Sequence, residues 1–178
     1  DATSGVGTYA ITLANGSDGN YTLALVNGTL TVTEKLLTVT ADDQTRLYGD
    51  VNPALTVSYA GFENGDDADD LTTQPTATCA ATAADDVDTY DITAAGGVDE
   101  NYAFTYVTGT LSVTPAPVTC TADDRSKAYG QANPALTITY TGLKNGEAAP
   151  ATPPDIACAA DATSGVGTYA ITLANGSD

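Results

Sequence analysis

The sequence predicts an all-β protein made of tandem small Ig-like β-sandwich modules, each of about 80 residues. Thr, Ala, Asp, Gly and Val dominate the composition, there are 10 Tyr and 2 Phe, and Trp, Met and His are absent. Such a composition is typical of strands and turns. Apolar and polar residues alternate in short runs between turn signals. No stretch carries the apolar stripe of an amphipathic helix, so we expect almost no helix.

The chain repeats itself on two scales. Residues 1–18 recur without change at 161–178, which sets a period of 160 residues. Inside that period, residues 37–62 align with residues 118–143 at 14 of 26 positions, with an offset of 81. Self-similarity at a fixed spacing indicates an array of structural repeats. Two related modules of about 80 residues therefore make one 160-residue unit.

These alignments divide the chain into one complete module and two partial ones. We expect residues 1–33 to be the C-terminal part of a preceding repeat, 34–115 a complete repeat module, and 116–178 the N-terminal part of the next one. The third segment is missing a final hairpin, which residues 19–33 carry at the other end. Two interpretations stay open: a cut from a continuous polymer, or head-to-tail strand donation between separate chains.

Strand faces and turns can be assigned within a module. The first strand of the complete module places three apolar residues on one face: Leu37, Val39 and Ala41. Asn27–Gly28 predicts a two-residue hairpin turn, and Thr108–Gly109 takes its place one module later. Further turns are predicted at Asn64–Gly65 and Asn145–Gly146.

The charge of the chain excludes several classes of partner. The formal net charge is −18, from 23 acidic and 5 basic residues. This charge repels phosphate backbones and anionic lipid headgroups, so we expect neither nucleic-acid binding nor membrane insertion of this segment. No run approaches the ~20 apolar residues of a membrane span.

Several motifs carry a resemblance to a known family. YGDVNPALTVSYAGF at 48–62 and AYGQANPALTITYTGL at 128–143, with NYAFTYVTGTLSVT closing the unit at 101–114, resemble the MBG family of "mostly bacterial glycine-rich" repeats. The resemblance covers essentially the entire chain. It implies a large secreted or surface-anchored bacterial protein, often adhesin-like, with many copies in series as a stalk. The family offers no defined catalytic residue to carry over, and the shortened loop GLKNGEAAPATPP departs from the first module.

Three cysteines need an explanation in a secreted protein. Cys120 replaces Val39 on the core-facing side of the first strand, and Cys158 precedes GTYAI in the same module. We hypothesise a Cys120–Cys158 disulfide worth ~3 kcal/mol, which leaves Cys79 as a lone thiol. Because the sequence contains no histidine, Cys79 has no usual catalytic base and we expect no enzymatic activity.

Acidic residues offer a weak case for calcium, and we expect no other cofactor. The densest cluster contains Glu63, Asp66, Asp67, Asp69 and Asp70. Two acidic pairs recur where the first strand of each module ends: Asp42 with Asp43, and Asp123 with Asp124. We favour a turn-forming role for these pairs over metal binding, because Asp commonly bonds its local backbone.

Five tyrosines recur in two contexts. The GTY or DTY context contains Tyr9, Tyr90 and Tyr169, and the YG context contains Tyr48 and Tyr129. We predict a structural role in which the ring is buried and the hydroxyl bonds a loop carbonyl, as in a tyrosine corner. Stacking on a ligand is the alternative.

Together these observations predict a structural repeat segment of an extracellular bacterial fibre or adhesin stalk. The linkers between modules are short, and Pro115 and Pro117 stiffen one of them, which favours a rod acting as a stiff spacer. Its partners would be neighbouring copies of itself, joined covalently or by strand donation. The alternative is a multivalent adhesin module that binds carbohydrate or protein through many weak sites.

Overall fold

The structure is a computed structural model that describes residues 4–176. Within that range, the regular structure is β-strand apart from one short 3-10 turn at Ala68–Asp70. The all-β prediction is therefore confirmed. No helix in residues 4–176 is long and apolar enough to cross a membrane.

Strands are numbered in chain order. The complete module at 34–115 is called the middle repeat from here on. In the described residues, nine strands lie before or within it: β1 (Gly7–Ile11), β2 (Gly28–Val32), β3 (Lys35–Ala41), β4 (Gln44–Leu47), β5 (Val57–Ala60), β6 (Thr76–Cys79), β7 (Thr89–Ala95), β8 (Tyr102–Val107) and β9 (Gly109–Thr114). The described part of the chain after them contains β10 (Thr119–Ala122), β11 (Ile138–Thr141), β12 (Asp155–Cys158) and β13 (Ile171–Ala174).

The middle repeat contains two sheets. One has the order β5-β3-β8, with β3 antiparallel to β5 and parallel to β8. The other has the order β4-β9-β7-β6, with β7 antiparallel to both β6 and β9. Strands β8 and β9 follow each other along the chain but lie in different sheets. The repeat is therefore closed by a crossover between its sheets.

The predicted hairpin at Thr108–Gly109 is wrong, since β8 and β9 do not pair. A Cβ atom on Gly109 would lie 2.2 Å from the carbonyl oxygen of Ala41. The glycine is therefore required for a close approach of two backbones, not for a turn with positive φ. The hairpin predicted at Asn27–Gly28 is also wrong, because Gly28 begins β2, which pairs with β1.

The core of the middle repeat follows the alternation seen in the sequence. Leu37 and Val39 are 0% exposed and Ala41 is 1% exposed, while the residues between them are half-buried. From the facing sheet, Ile92 and Leu111 are also fully buried. Burying side chains of this kind contributes roughly 1.5–3 kcal/mol each.

An aromatic cluster covers one end of this core. Tyr102 is buried with Leu37 and Leu71, and Phe62 packs against the group. The rings of Phe62 and Tyr102 meet edge to face, with centroids 5.5 Å apart and an interplanar angle of 82°. The Tyr102 hydroxyl donates to Asp66 at 2.7 Å, so the one polar atom of the ring has a partner.

The remaining strands of the described chain form two-stranded sheets. These sheets are β1-β2, β10-β11 and β12-β13, all antiparallel. The predicted turns at Asn64–Gly65 and Asn145–Gly146 are confirmed, because both residues of each pair have positive φ.

Contacts along the chain define two compact units. Unit 1 contains the described residues up to Thr45, then Asn52–Ala81 and Thr89–Ser112. Unit 2 contains Arg46–Val51, Thr82–Asp88 and the described residues from Val113 onward. Two short segments of the middle repeat therefore pack with the repeat that follows it in sequence.

Candidate functional site

The three cysteines are free and half-buried. Cys120 is in β10, opposite Tyr140, and lines one cavity of unit 2. Cys158 is in β12, opposite Ile171, and lines a second cavity. The proposed Cys120–Cys158 disulfide stays a prediction.

The recurring aspartate pairs contact neighbouring strands. Asp42 accepts a hydrogen bond from the Thr56 hydroxyl at 2.7 Å, and Asp43 accepts one from the Thr110 amide at 2.7 Å. These carboxylates therefore fasten strand ends to one another across the module, instead of bonding the backbone that directly follows them.

The second aspartate pair has a similar arrangement. Asp123 accepts hydrogen bonds from the hydroxyls of Thr137 and Thr139, the latter at 2.6 Å. These bonds lower the pKa of the Asp123 carboxyl below its usual value. Arg125 forms an ion pair with the same carboxylate at 3.6 Å. Calcium binding at Asp42, Asp43, Asp123 and Asp124 stays a prediction.

The dense acidic cluster is organised around the 3-10 turn. Asp67 accepts from the Asp69 amide at 2.8 Å, and Asp70 accepts from the Asp67 amide at 2.9 Å, which forms a capping box. Glu63 pairs with Lys35 at 2.6 Å, and this bond lowers the pKa of the Glu63 carboxyl. Between Ser4 and Gly176 the structure contains no group of three or more acidic, cysteine or histidine residues arranged to hold a metal ion.

The tyrosines of the GTY context lie beside their own upstream loop. The Tyr9 hydroxyl donates to the Gly5 carbonyl at 2.8 Å, and the Tyr169 hydroxyl donates to the Gly165 carbonyl at 3.0 Å. This hydroxyl geometry is that of a tyrosine corner, although both rings remain partly exposed. Tyr90, in the complete repeat, is half-buried.

Two hydrogen bonds from a side chain to a distant backbone carbonyl recur in both modules, and the sequence pattern did not predict which carbonyls accept them. The amide nitrogen Nδ2 of Asn52 donates to the Ala81 carbonyl at 2.7 Å, and its counterpart Asn133 donates to the Ala160 carbonyl at 2.6 Å. These asparagines belong to the Asn–Pro pairs, which the sequence explains only as extended backbone. The recurrence of the dipeptide at an offset of 81 was the available signal.

In the second recurring hydrogen bond, the donor is a positively charged side chain. Arg46, which is 6% exposed, donates to the Thr82 carbonyl at 2.5 Å. Its counterpart Lys127 donates to the Asp161 carbonyl, which occupies the matching position in the repeat, at 2.5 Å. Both modules therefore keep a positive charge and its carbonyl target at this position while the side chain changes.

Unit 2 also contains contacts that join one repeat to the next. Lys144 forms an ion pair with Asp50 at 2.8 Å, and the Tyr48 hydroxyl donates to Glu147 at 2.5 Å. We call these four residues the joint; each bond connects a loop of the middle repeat to the turn at 144–147. Unlike Tyr9 and Tyr169, Tyr48 bonds a carboxylate, which raises the pKa of its hydroxyl.

Close packing accompanies these polar contacts. A Cβ atom on Gly49, whose φ is +79°, would lie 2.3 Å from Cβ of Lys144. Only glycine adopts this backbone freely and leaves room for the lysine stem. Nearby, the Asn145 side-chain amide donates to the Ala83 carbonyl at 3.2 Å. In the middle repeat, the Tyr48–Gly49 pair therefore packs against the turn at 144–147, with the Tyr48 hydroxyl on Glu147 and the Gly49 backbone on Lys144.

The counterparts of the joint differ within the 160-residue period. At an offset of 81, Asp50 corresponds to Gln131, and Lys144 corresponds to Glu63. At the alternate junction of the 160-residue period, a residue equivalent to Gln131 would lie opposite one equivalent to Glu63. These two side chains cannot form the ion pair that Asp50 and Lys144 form. Tyr48 corresponds to Tyr129, which is 71% exposed.

Two cavities lie within unit 2. The larger, about 970 Å³, is lined by apolar residues that include Val118, Cys120 and Leu173, and by Tyr48, Lys144 and Glu147 of the joint. The second, about 610 Å³, is lined by residues that include Leu136 and Ile171. Most of these apolar positions correspond to core positions of the middle repeat. The cavities therefore mark the interior faces of β10, β12 and β13.

Comparison with known proteins identifies one family. The model for the MBG domain (YGX type) matches residues 1–31, 37–112 and 118–178. Together the three matched stretches cover nearly the whole chain. No curated protein and no solved structure matches the chain.

Proposed function

Because the chain belongs to the MBG domain family of YGX type, we propose that it is a structural repeat segment of an extracellular bacterial fibre or adhesin stalk. Its role is that of a stiff spacer, which sets a distance between whatever lies at the two ends. Its partners are neighbouring copies of the same repeat. The chain performs no catalytic step in this role.

The joint is the observation that carries this proposal. Tyr48 and Asp50 of one repeat contact Glu147 and Lys144 of the next, so the two repeats are tied by side chains as well as by the linker. The exposed ion pair contributes little by itself. Combined with the close approach at Gly49, the bonds restrict how freely the chain can bend at this point.

The sequence period adds independent support. A spacer gains length when a unit is duplicated, and residues 1–18 and 161–178 are identical copies. The net charge of −18 keeps an elongated, exposed array soluble and disfavours collapse onto other acidic surfaces. A chain of this kind needs packing between neighbours and no separate chemical site.

The proposal can be tested by measuring rotational tumbling in solution. In ¹⁵N relaxation experiments on the monomeric protein, the amides of residues 35–114 and 118–174 should fit one shared anisotropic diffusion tensor. Lys144→Glu places two carboxylates together at the joint and also removes the lysine stem that packs against Gly49, so it should give the two groups separate tensors. Lys35→Glu is the matched control, because it changes the charge equally away from the joint. Separate tensors in the unmodified protein would contradict the spacer role.

The multivalent binding module remains the competing function. If the unmodified protein tumbles as independent segments but binds immobilised glycans or surface proteins, the spacer proposal fails and the adhesin interpretation replaces it. A rigid protein that binds none of these ligands supports the spacer.

A further inference from the structure

The middle repeat contains a cavity of its own, between the outer strands of its two sheets. Strand β5 is the outer strand of the sheet β5-β3-β8, and β6 is the outer strand of the sheet β4-β9-β7-β6. The cavity, about 440 Å³, is lined by residues within 55–59 and 74–77, all of which belong to unit 1. Its volume lies in the range of about 300–1,000 Å³ that is typical of small-molecule sites. We call it the edge cavity.

The lining combines one aromatic ring with neutral polar groups. Tyr59 lies opposite Val39 in the sheet, and its ring packs against Phe62 with centroids 5.4 Å apart. Burial raises the pKa of the Tyr59 hydroxyl above its ordinary value, so the phenol stays neutral and can donate a hydrogen bond. The polar lining residues are Thr56, Gln74 and Thr76. Among residues 4–176, no charged side chain lines the edge cavity.

Two of these polar side chains are held by carboxylates outside the lining. The side-chain nitrogen Nε2 of Gln74 donates to Asp69 at 3.0 Å, which leaves the Oε1 atom of Gln74 as an acceptor. The Thr56 hydroxyl donates to Asp42 at 2.7 Å, and its oxygen can still accept a hydrogen bond. Both acceptors are therefore oriented before a ligand arrives, which lowers the entropy cost of binding.

We propose that the edge cavity binds a neutral saccharide. A sugar ring has a face of C–H groups that packs on an aromatic ring, and its hydroxyls can donate to Gln74 and Thr56 and accept from Tyr59. The net charge of −18 repels acidic polymers, and the lining offers no cation to offset that repulsion. This inference goes beyond the spacer role, because it assigns a ligand to the middle repeat.

Only one wall of the edge cavity recurs in the following repeat. The wall at 55–59 corresponds to 136–140, which keeps the threonine and the tyrosine at an offset of 81. In the other wall, at an offset of 79, the glutamine, the threonine and the alanine are replaced by Pro153, Asp155 and Ile156. These changes remove the amide, introduce a carboxylate and add bulk. The proposed site is therefore a property of the middle repeat and not of its neighbour.

Titration of the ¹⁵N-labelled full chain tests the proposal. The neutral probes are maltotriose, cellotriose and di-N-acetylchitobiose, and the acidic probe is trigalacturonate. At least one neutral probe should shift the amide resonances of Tyr59, Thr76 and Ala77 in a saturable way. Trigalacturonate should leave these resonances unchanged, because the net charge of the chain repels it.

A pair of glutamine substitutions identifies the site. Gln74→Ala should weaken binding by about fivefold or more, because it removes an acceptor that the ligand uses. Gln131→Ala is the matched control, since it makes the same change in the following repeat, outside the lining of the edge cavity. This control should change binding by less than about twofold.

A third variant fills the edge cavity without adding charge. Ala77→Ile introduces the side chain that the following repeat has at this position, Ile156, and isoleucine favours strands. It should abolish binding, because the longer side chain occupies the space of the ligand. Thermal unfolding of each variant verifies that the middle repeat still folds.

Four outcomes would overturn the proposal. They are no saturable shift with any neutral probe, equal shifts with trigalacturonate, equal weakening by Gln74→Ala and Gln131→Ala, and full binding by folded Ala77→Ile. Shifts of the same amides that follow protein concentration without any sugar would show that a second copy fills the edge cavity, and would also overturn it. None of these results tests the spacer role, which is decided by rotational tumbling.

Discussion

Residues at the same position of the repeat are buried in the middle module and exposed in the N-terminal segment. Ile92 and Leu111 are 0% exposed, whereas their counterparts Ile11 and Leu30 are 49% and 54% exposed. Strand pairing is the same in both places, since β1-β2 keeps the register of β7-β9. The difference shows that a correct sheet register does not by itself create a core. The second sheet must also be present, because each sheet buries only the face that another layer covers.

The largest expected effect comes from truncating the same side chain in both settings. Leu111→Ala should lower the free energy of unfolding of the middle repeat by about 2–5 kcal/mol, because it leaves a cavity among fully buried neighbours. Leu30→Ala should change it by less than about 0.5 kcal/mol in the monomer. Urea denaturation of both variants measures the contrast. Equal losses would mean that the two modules are not packed as described.

Gly109 and Gly28 occupy the same position of the repeat, so substituting each of them tests the same comparison at the sheet crossover. Gly109→Ala should destabilise the middle repeat by about 1–3 kcal/mol, because its Cβ would meet the Ala41 carbonyl oxygen at 2.2 Å. Gly28→Ala should be nearly neutral in the monomer, where the nearest atom to the added Cβ is Ile11 Cβ at 3.7 Å. Thermal unfolding tests both.

The smallest expected effect concerns a charge pair that only one module contains. Lys35 and Glu63 pair in the middle repeat, whereas their counterparts are Ala116 and Lys144. The hydrogen bond from Lys35 lowers the folded-state pKa of Glu63 below its ordinary value of 4.5. The pair therefore adds stability above about pH 4.5, and this contribution is lost as the pH falls through the lowered folded-state pKa.

Glu63→Gln removes this titration. The melting temperatures of the variant and the parent should differ slightly at pH 7, converge under acidic conditions, and converge again in high salt, because both side chains are exposed. Lys144→Gln is the companion variant, since Lys144 pairs with Asp50 instead. A Glu63→Gln difference that grows as the pH falls would contradict the predicted sign.

The local structure of the module could be predicted from particular residues. Period-two alternation identified Leu37, Val39 and Ala41 as one buried face, because successive side chains of a strand point in opposite directions. Asn64–Gly65 and Asn145–Gly146 predicted turns with positive φ, which both pairs adopt. Both kinds of signal are local, since they depend on the chain within a few residues of the position concerned.

The contacts of the candidate site were harder to predict from the sequence. Tyr48 was identified by its recurrence, but its partner Glu147 was not, because the two residues are far apart in sequence and belong to different repeats. Lys144 carried no signal of its own, since it aligns with a residue of opposite charge, Glu63. The ion pair with Asp50 depends on how the turn at 144–147 meets the loop at 46–51. That meeting is set by packing, which one sequence does not encode locally.

The sequence by itself determined that this protein is a repetitive, acidic, all-β chain with the motifs of one family. These properties depend on composition, period and alternation, which can be read without knowing which segments meet in space. Only the tertiary structure decided that β8 and β9 lie in different sheets, that β3 and β8 are parallel, and that Lys144 meets Asp50. Those outcomes depend on which strand edges and loops meet across long separations, where close approach at Gly109 and Gly49 selects one arrangement.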